Sequence, residues 1–143
     1  MIEQALFTHV TSDIMITALI YTNSPYPHHR FFPNKIPQGE LLPAATYQQN
    51  KGDRVHHMEG PAGMVDSEYT IICYGTTYPA AKELAEAVRK RLDGYRGIVA
   101  GVTIDVILLI DELDVPEFKP GTDILSRYGK QLTFTVWFKE SVT

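Results

Sequence analysis

Few residues in this chain have types and spacing that could do chemistry. They are two histidine pairs, His28-His29 and His56-His57, an acidic stretch with Asp105, Asp111, Glu112, Asp114 and Glu117 followed by Lys119, and one cysteine, Cys73. Imidazole is the commonest transition-metal ligand. Adjacent residues on an extended chain point to opposite sides, so neither pair chelates an ion alone, and both read as solvated loop and strand histidines. The acids with Lys119 have the composition of a metal-dependent nuclease, in which carboxylates hold Mg2+ beside a lysine. Pro116 and the closeness of Asp111 to Glu117 fit a solvated loop better than the two strands such a site needs. No serine lies in a G-x-S-x-G turn, and Cys73 is centred in a strand-like run rather than exposed at a helix start. A phosphate loop of the form G-x-x-x-x-G-K is absent from the sequence. The expectation is a non-enzyme without metal or cofactor.

The 143 residues are most simply one domain, 1–143, because a chain of this size buries about 68–70% of the surface its unfolded form exposes. Hydrophobic content of 44% and charged content of 21% are those of a globular chain. With 13 basic and 17 acidic side chains the net charge is −4, so no overall positive field holds a phosphate backbone, and dedicated nucleic-acid binding is disfavoured. A single cysteine cannot form an intrachain disulfide. MIEQALFTHV has no basic segment ahead of an apolar one, and the longest aliphatic run, Val106 to Ile110, is far short of the roughly 20 residues that span a bilayer. The expected compartment is the cytosol.

The elements that must position these groups follow from periodicity. Ile2, Leu6 and Val10 place an apolar stripe on a short helix, and Asp13 caps a second turn using Ile14, Met15 and Leu19. Five prolines between Tyr21 and Pro43 predict a long loop, 21–43, whose bulky cluster is Arg30, Phe31 and Phe32. A strand from Ala44 to about Gln49 leads through a loop at 50–64 into a central strand, Ser67 to Tyr74. Thr77, Tyr78 and Pro79 open a helix with Ala81, Leu84, Ala85, Val88 and Leu92 on its buried stripe, and Gly94 ends it. Gly97 to Ile110 reads as one strand bent at Gly101, with Val102, Ile104, Val106, Leu108 and Ile110 on one side. An acidic loop, 111–125, follows. Leu132, Phe134, Val136 and Phe138 alternate with Thr133, Thr135, Trp137 and Lys139 in the last strand. Trp137 faces away from the apolar row, so either a second layer covers it or it lies in an interface, and Phe31 and Phe32 divide similarly, with internal packing under the loop the favoured reading.

The fold class expected from this order is α+β: a mostly antiparallel four-stranded sheet with helices packed on one face, in the order α-β-β-α-β-β.

The ordered set of residues also resembles the family of bacteriophage tail completion proteins, the tail terminator or head-to-tail joining proteins of long-tailed phages. The pieces that carry the likeness are the N-terminal helix, IPQG at Ile36 to Gly39, Leu42-Pro43 opening a strand to Tyr47, Arg54-Val55-His56, and Ile71 to Gly75. The helix ending in LDGYRG, Asp111-Glu112 and the closing FTVWFKE complete it. YTNSPYPHHR before Phe31 looks like an insertion. The resemblance implies a structural virion protein of the tail-neck region, present in host cytoplasm during assembly. It would form a hexameric ring that caps the tail tube, ends its polymerisation and joins it to the head connector. Its implied partners are further copies of itself, the major tail tube protein, a head connector or head completion protein, and double-stranded DNA passing through without sequence-specific binding. No membrane is involved. Candidate interface residues are Arg30, Phe31, Phe32, Arg54, His56 and Trp137. Asp111, Glu112, Asp114, Glu117 and Asp123 either face the channel or tube, where acids would repel DNA, or lie on a solvated outer loop. The alternatives are a neck or baseplate adaptor acting as a binding module, and the nuclease, which would require Glu117.

Overall fold

The structure, a computed structural model, describes residues 2–22, 28–37, 40–57, 60–118 and 125–139; of 51–65, 118, 125 and 126 it describes the backbone alone. The elements in chain order are α1 (Ile2–Thr11), α2 (Ile14–Ile20), β1 (Tyr21–Thr22), β2 (His28–His29), β3 (Phe31–Pro33), β4 (Ala44–His57), β5 (Gly60–Gly75), α3 (Tyr78–Leu92), β6 (Gly97–Val99), β7 (Val102–Asp114), β8 (Glu117–Phe118) and β9 (Leu125–Lys139).

Helices α2 and α3 start where the sequence supplies a cap. Asp13 Oδ1 accepts the N–H groups of Met15 at 2.8 Å and Ile16 at 3.1 Å, satisfying donors that the first turn leaves free. That cap sets the phase of α2 so that Ile16 and Ile20 are buried, while Ile14 and Met15, expected on its packing face, are 85% and 68% exposed. Thr77 Oγ1 accepts from Ala80 N at 3.3 Å, and Pro79 sits in the first turn of α3. Ala81, Leu84, Ala85, Val88 and Leu92 form the buried stripe of α3. Arg89, Lys90 and Arg91 lie in its last turn, where cations oppose the helix dipole, and Gly94 follows at φ 81°, a conformation that costs glycine nothing.

The expected four-stranded sheet is incorrect. Six strands lie side by side in the order β3-β4-β5-β9-β7-β6, with β8 paired to β9, and β1 and β2 form a separate two-stranded sheet. The main sheet is mixed, since β3 runs parallel to β4 while the other pairs are antiparallel.

Three departures account for the error. First, the proline-rich loop contributes strands: β3 ends in Pro33 at the outer edge of the sheet, the position where a missing N–H is tolerated. Second, Gly97 to Ile110 is a hairpin rather than one bent strand. Ala100 and Gly101 both take positive φ, 49° and 80°, as a two-residue hairpin turn requires. Third, much of the stretches 50–64 and 111–125, expected as loops, is strand. β4 runs to His57 and β5 starts at Gly60, with rungs Arg54↔Val65, His56↔Pro61 and His57↔Gly60. Among the described residues the last rung between β5 and β9 is Met64↔Lys139, and β4 and β5 stay paired beyond it. β7 likewise continues to Asp114.

Irregular pairing decides which face each β7 residue takes. Ile104 opposes Phe138 and Val106 opposes Trp137, so Asp105 is an extra residue in the ladder. Alternation therefore shifts by one. Ile104 and Ile107 point inward at 2% and 0% exposure, whereas Leu108 and Ile110, expected beside Ile104, are 44% and 52% exposed. A second shift falls between Leu109 and Asp111.

The core lies between the sheet and the helices. α3 packs across β5, β9 and β7, and α1 and α2 pack against α3. Tyr69 and Ile71 of β5 face Phe134 and Leu132 of β9, and all four are buried. Phe31, Leu84, Val88, Leu92 and Ile107 belong to the same cluster. Among the described residues no helix is long and apolar enough to cross a membrane.

Burial predicts unequal effects from two neighbouring positions in urea unfolding. Phe134→Ala should lower the unfolding free energy by about 3–5 kcal/mol, the range for emptying an aromatic site in a core. Leu108→Ala, on the opposite face, should change it by less than about 1 kcal/mol.

Candidate functional site

Arg30 ties the segment that follows β2 to the body of the chain. This side chain is 7% exposed. Its Nε donates to Pro43 O at 2.9 Å, Nη2 to Leu19 O at 2.9 Å, and Nη1 to Tyr21 O at 3.4 Å and to Thr22 Oγ1. One guanidinium thus joins the end of α2, β1 and the entry to β4. Its planar fork of donors serves several acceptors at once, and hydrogen bonds from a charged group are the stronger kind. Burial lowers its pKa, and nearby Glu40 offsets part of that shift. Phe31, 3% exposed, stacks on Phe7 with ring centres 5.7 Å apart and meets Tyr47 at 4.7 Å. Arg30 and Phe31, both named as candidate interface residues, are buried within this chain, Phe31 in the internal packing under the loop that was the favoured reading. Phe32 is half-buried, 6.2 Å from the His28 ring.

The adjacent histidines diverge, as strand geometry requires. His28 Nε2 lies 3.0 Å from Glu40 Oε1, while His29 Nε2 lies 3.3 Å from Thr17 Oγ1. His56 and His57 lie on β4 opposite Pro61 and Gly60, and Arg54 lies opposite Val65, with only the backbone described there.

Of the acids expected at a channel or tube, Glu112, Asp114 and Glu117 are paired with basic residues on β9. Lys130 Nζ lies 3.5 Å from Glu112 and 3.4 Å from Asp114. Burial alone would lower the Lys130 pKa, but Asp114 and Glu112 outweigh it and the net shift is upward. Glu117 accepts from Arg127 Nε at 2.6 Å, and that guanidinium stacks over Tyr74 at 4.3 Å. Burial, followed by Glu117, pushes the Tyr74 hydroxyl up to about 12. Asp111 is exposed. Lys119 and Asp123 lie outside the described residues. Among the described residues no three His, Cys, Asp or Glu side chains gather as a metal-holding group. Cys73 is buried, and burial raises its pKa, so its sulfur is held as an unreactive thiol.

Trp137 projects from the face opposite Val136 and Phe138 and is half-buried. With Arg96, Asp105 and Val106 it lines a shallow open depression. The exposed apolar residues Leu108, Ile110 and Leu113 of β7 were not legible in the sequence. Leu108 and Ile110 lie outward because Asp105 shifts the alternation, and Leu113 does so because of the second shift between Leu109 and Asp111, in a part of β7 that runs on into the expected loop.

Helix packing also sets a pH dependence. His9 is buried, with Nε2 3.2 Å from Arg91 O and its ring 3.8 Å from that of Tyr95. Burial, then the charge of Arg91, lowers its pKa from the ordinary 6.5. Burial, then His28, lowers that of His29. With folded values below the unfolded ones, the unfolded chain binds more protons as pH falls through 6.5. Stability is therefore fully present above that value and is lost below it. Urea midpoints should fall between about pH 7 and pH 5, and the combined His9→Gln and His29→Gln variant should show a shallower fall.

Solved structures contain the same architecture. A chain from "Virion of native gene transfer agent (GTA) particle" superposes with a TM-score of 0.66, covering 96% of this chain and 93% of that one at 14% identity. At that identity the likeness shows the fold alone. A comparison with curated proteins gave no match. The family model for tail completion protein gp17 matches residues 4–121, more than half of the sequence, and the chain belongs to that family. The matched range ends before β9.

Proposed function

We propose that this chain is a structural, non-catalytic component of a phage-type tail. It caps the tail tube, ends its polymerisation and joins the tail to the head connector, as a closed ring of copies through which DNA passes. The observation that carries this reading is family membership over residues 4–121. The surface is consistent with it. Among the described residues β4 and β5 pair beyond the last rung with β9, β7 carries exposed Leu108, Ile110 and Leu113, and Trp137 is half-buried on the same face as Leu108. A closed ring needs two different patches on each subunit, and exposed apolar residues and half-buried aromatics suit such contacts.

In this reading Phe32, Trp137, Arg54 and His56 meet neighbouring subunits or the tube. Asp111, Glu112 and Asp114 face the channel, where negative charge keeps the phosphate backbone from sticking. The partners are the major tail tube protein and a head connector or head completion protein, in the virion.

Two measurements test this. Electron microscopy of the purified protein mixed with tail tubes should show a ring at one tube end, and particles lacking the protein should have tails of irregular length without heads. Normal tails joined to heads in its absence would rule the role out. The double variant Glu112→Lys, Asp114→Lys, checked for native circular dichroism, should still assemble yet deliver DNA about tenfold less well, because phosphate contacts retard passage. Unchanged delivery would remove these acids from the channel.

A further inference from the structure

The outer edge of β7 is covered in a relay. β6 pairs with Val102, Thr103 and Ile104. Beyond it the segment after α3 takes over, with Gly94 N–H donating to Ile107 O at 2.6 Å and Ile107 N–H donating to Tyr95 O at 3.1 Å. Where main-chain cover ends, carboxylates continue it. Asp93 Oδ1 accepts the N–H of Leu109 at 3.0 Å, and Asp111 Oδ1 accepts the N–H of Glu112 at 2.8 Å. These are donors that an added strand would otherwise bond.

The edge needs such cover, because its side chains are apolar and open: Leu108 is 44% exposed, Ile110 52% and Leu113 39%. A strand edge with free main-chain donors and apolar side chains is a template for another chain. The identical edge of a second copy offers the same groups, so antiparallel pairing about a two-fold axis is available to it. Carboxylate oxygens are acceptors only, and placed on the Leu109 and Glu112 N–H groups they take those donors from an incoming strand, which is left with carbonyl oxygens alone to bond there.

We propose that Asp93 and Asp111 cap the outer edge of β7 and prevent it from pairing with the same edge of a second copy of this chain. The role goes beyond the tail reading, since it concerns the free chain and is read without tubes or heads.

The test compares the parent, Asp93→Ala/Asp111→Ala and Asp93→Asn/Asp111→Asn by sedimentation velocity over a concentration series, with circular dichroism as a check on folding. Asparagine removes the charge but keeps the Oδ1 acceptor. The alanine variant should self-associate about tenfold more strongly than the parent, the order expected for freeing two hydrogen-bonding groups, while the asparagine variant stays with the parent. Hydrogen exchange at the Leu109 and Glu112 amides should quicken in the alanine variant alone. A folded alanine variant that sediments like the parent overturns the proposal. Equal association of both variants also overturns it, because repulsion between acids would then be the cause. If the double variant does not fold, Asp111→Ala and Asp111→Asn are read in the same way.

Discussion

Burial of one row of β9 side chains beneath α3 is the interaction on which the rest of the structure depends. Leu132, Phe134, Val136 and Phe138 meet Tyr69 and Ile71 from one neighbouring strand and Ile104, Ile107 and Leu109 from the other. Apolar area removed from water is the main favourable term in folding, and the joint between the halves of the sheet is made where that area is largest. The chain between β5 and β7 is held to the same row, because α3 must cover it. The apolar stripe of α3 and the alternation of β9 are thus two descriptions of one contact.

Those strong periodic signals were the legible part of the fold. α3, with Thr77 before it and Gly94 after it, was readable from caps and a stripe, and β9 from strict alternation. The missing parts share one physical feature, a local rule overridden by pairing partners far along the chain. Nothing in Gly97 to Ile110 by itself distinguishes a bend at Gly101 from a reversal, and β6 exists because it borders β7. The polar, histidine-rich residues 51–57 carry no strand periodicity, yet β4 extends through them because β5 continues alongside. An extra residue such as Asp105 is invisible in one strand, since a bulge is a relation between two.

The candidate site was legible by residue type more than by role. Arg30 beside Phe31 and Phe32 stood out as a bulky cluster in a proline-rich segment, open to either internal packing or an interface. The chain instead uses the arginine to collect carbonyl oxygens from three segments that proline and irregular backbone leave without regular partners. An intramolecular donor and an intermolecular one look the same in sequence, and only the position of the acceptors separates them. The acids of β7 illustrate the converse. They look like a loop of loose charge, but Glu112 and Asp114 share Lys130, Glu117 holds Arg127, and Asp111 bonds the next residue's amide.

The place of β9 in the sheet has a consequence for the order in which the protein is made. β5 and β7 emerge from the ribosome before the strand that lies between them, so their facing edges cannot be joined until β9 has been synthesised. Nascent chains must therefore hold two long apolar edges apart while α3 waits for most of the surface it covers. Closure then requires contacts between residues as distant as Met64 and Lys139, and bringing such distant segments together is slow. Insertion of β9 is thus the last joining step the sheet order allows, and a chain awaiting it exposes the kind of unpaired edge and apolar surface that favours aggregation.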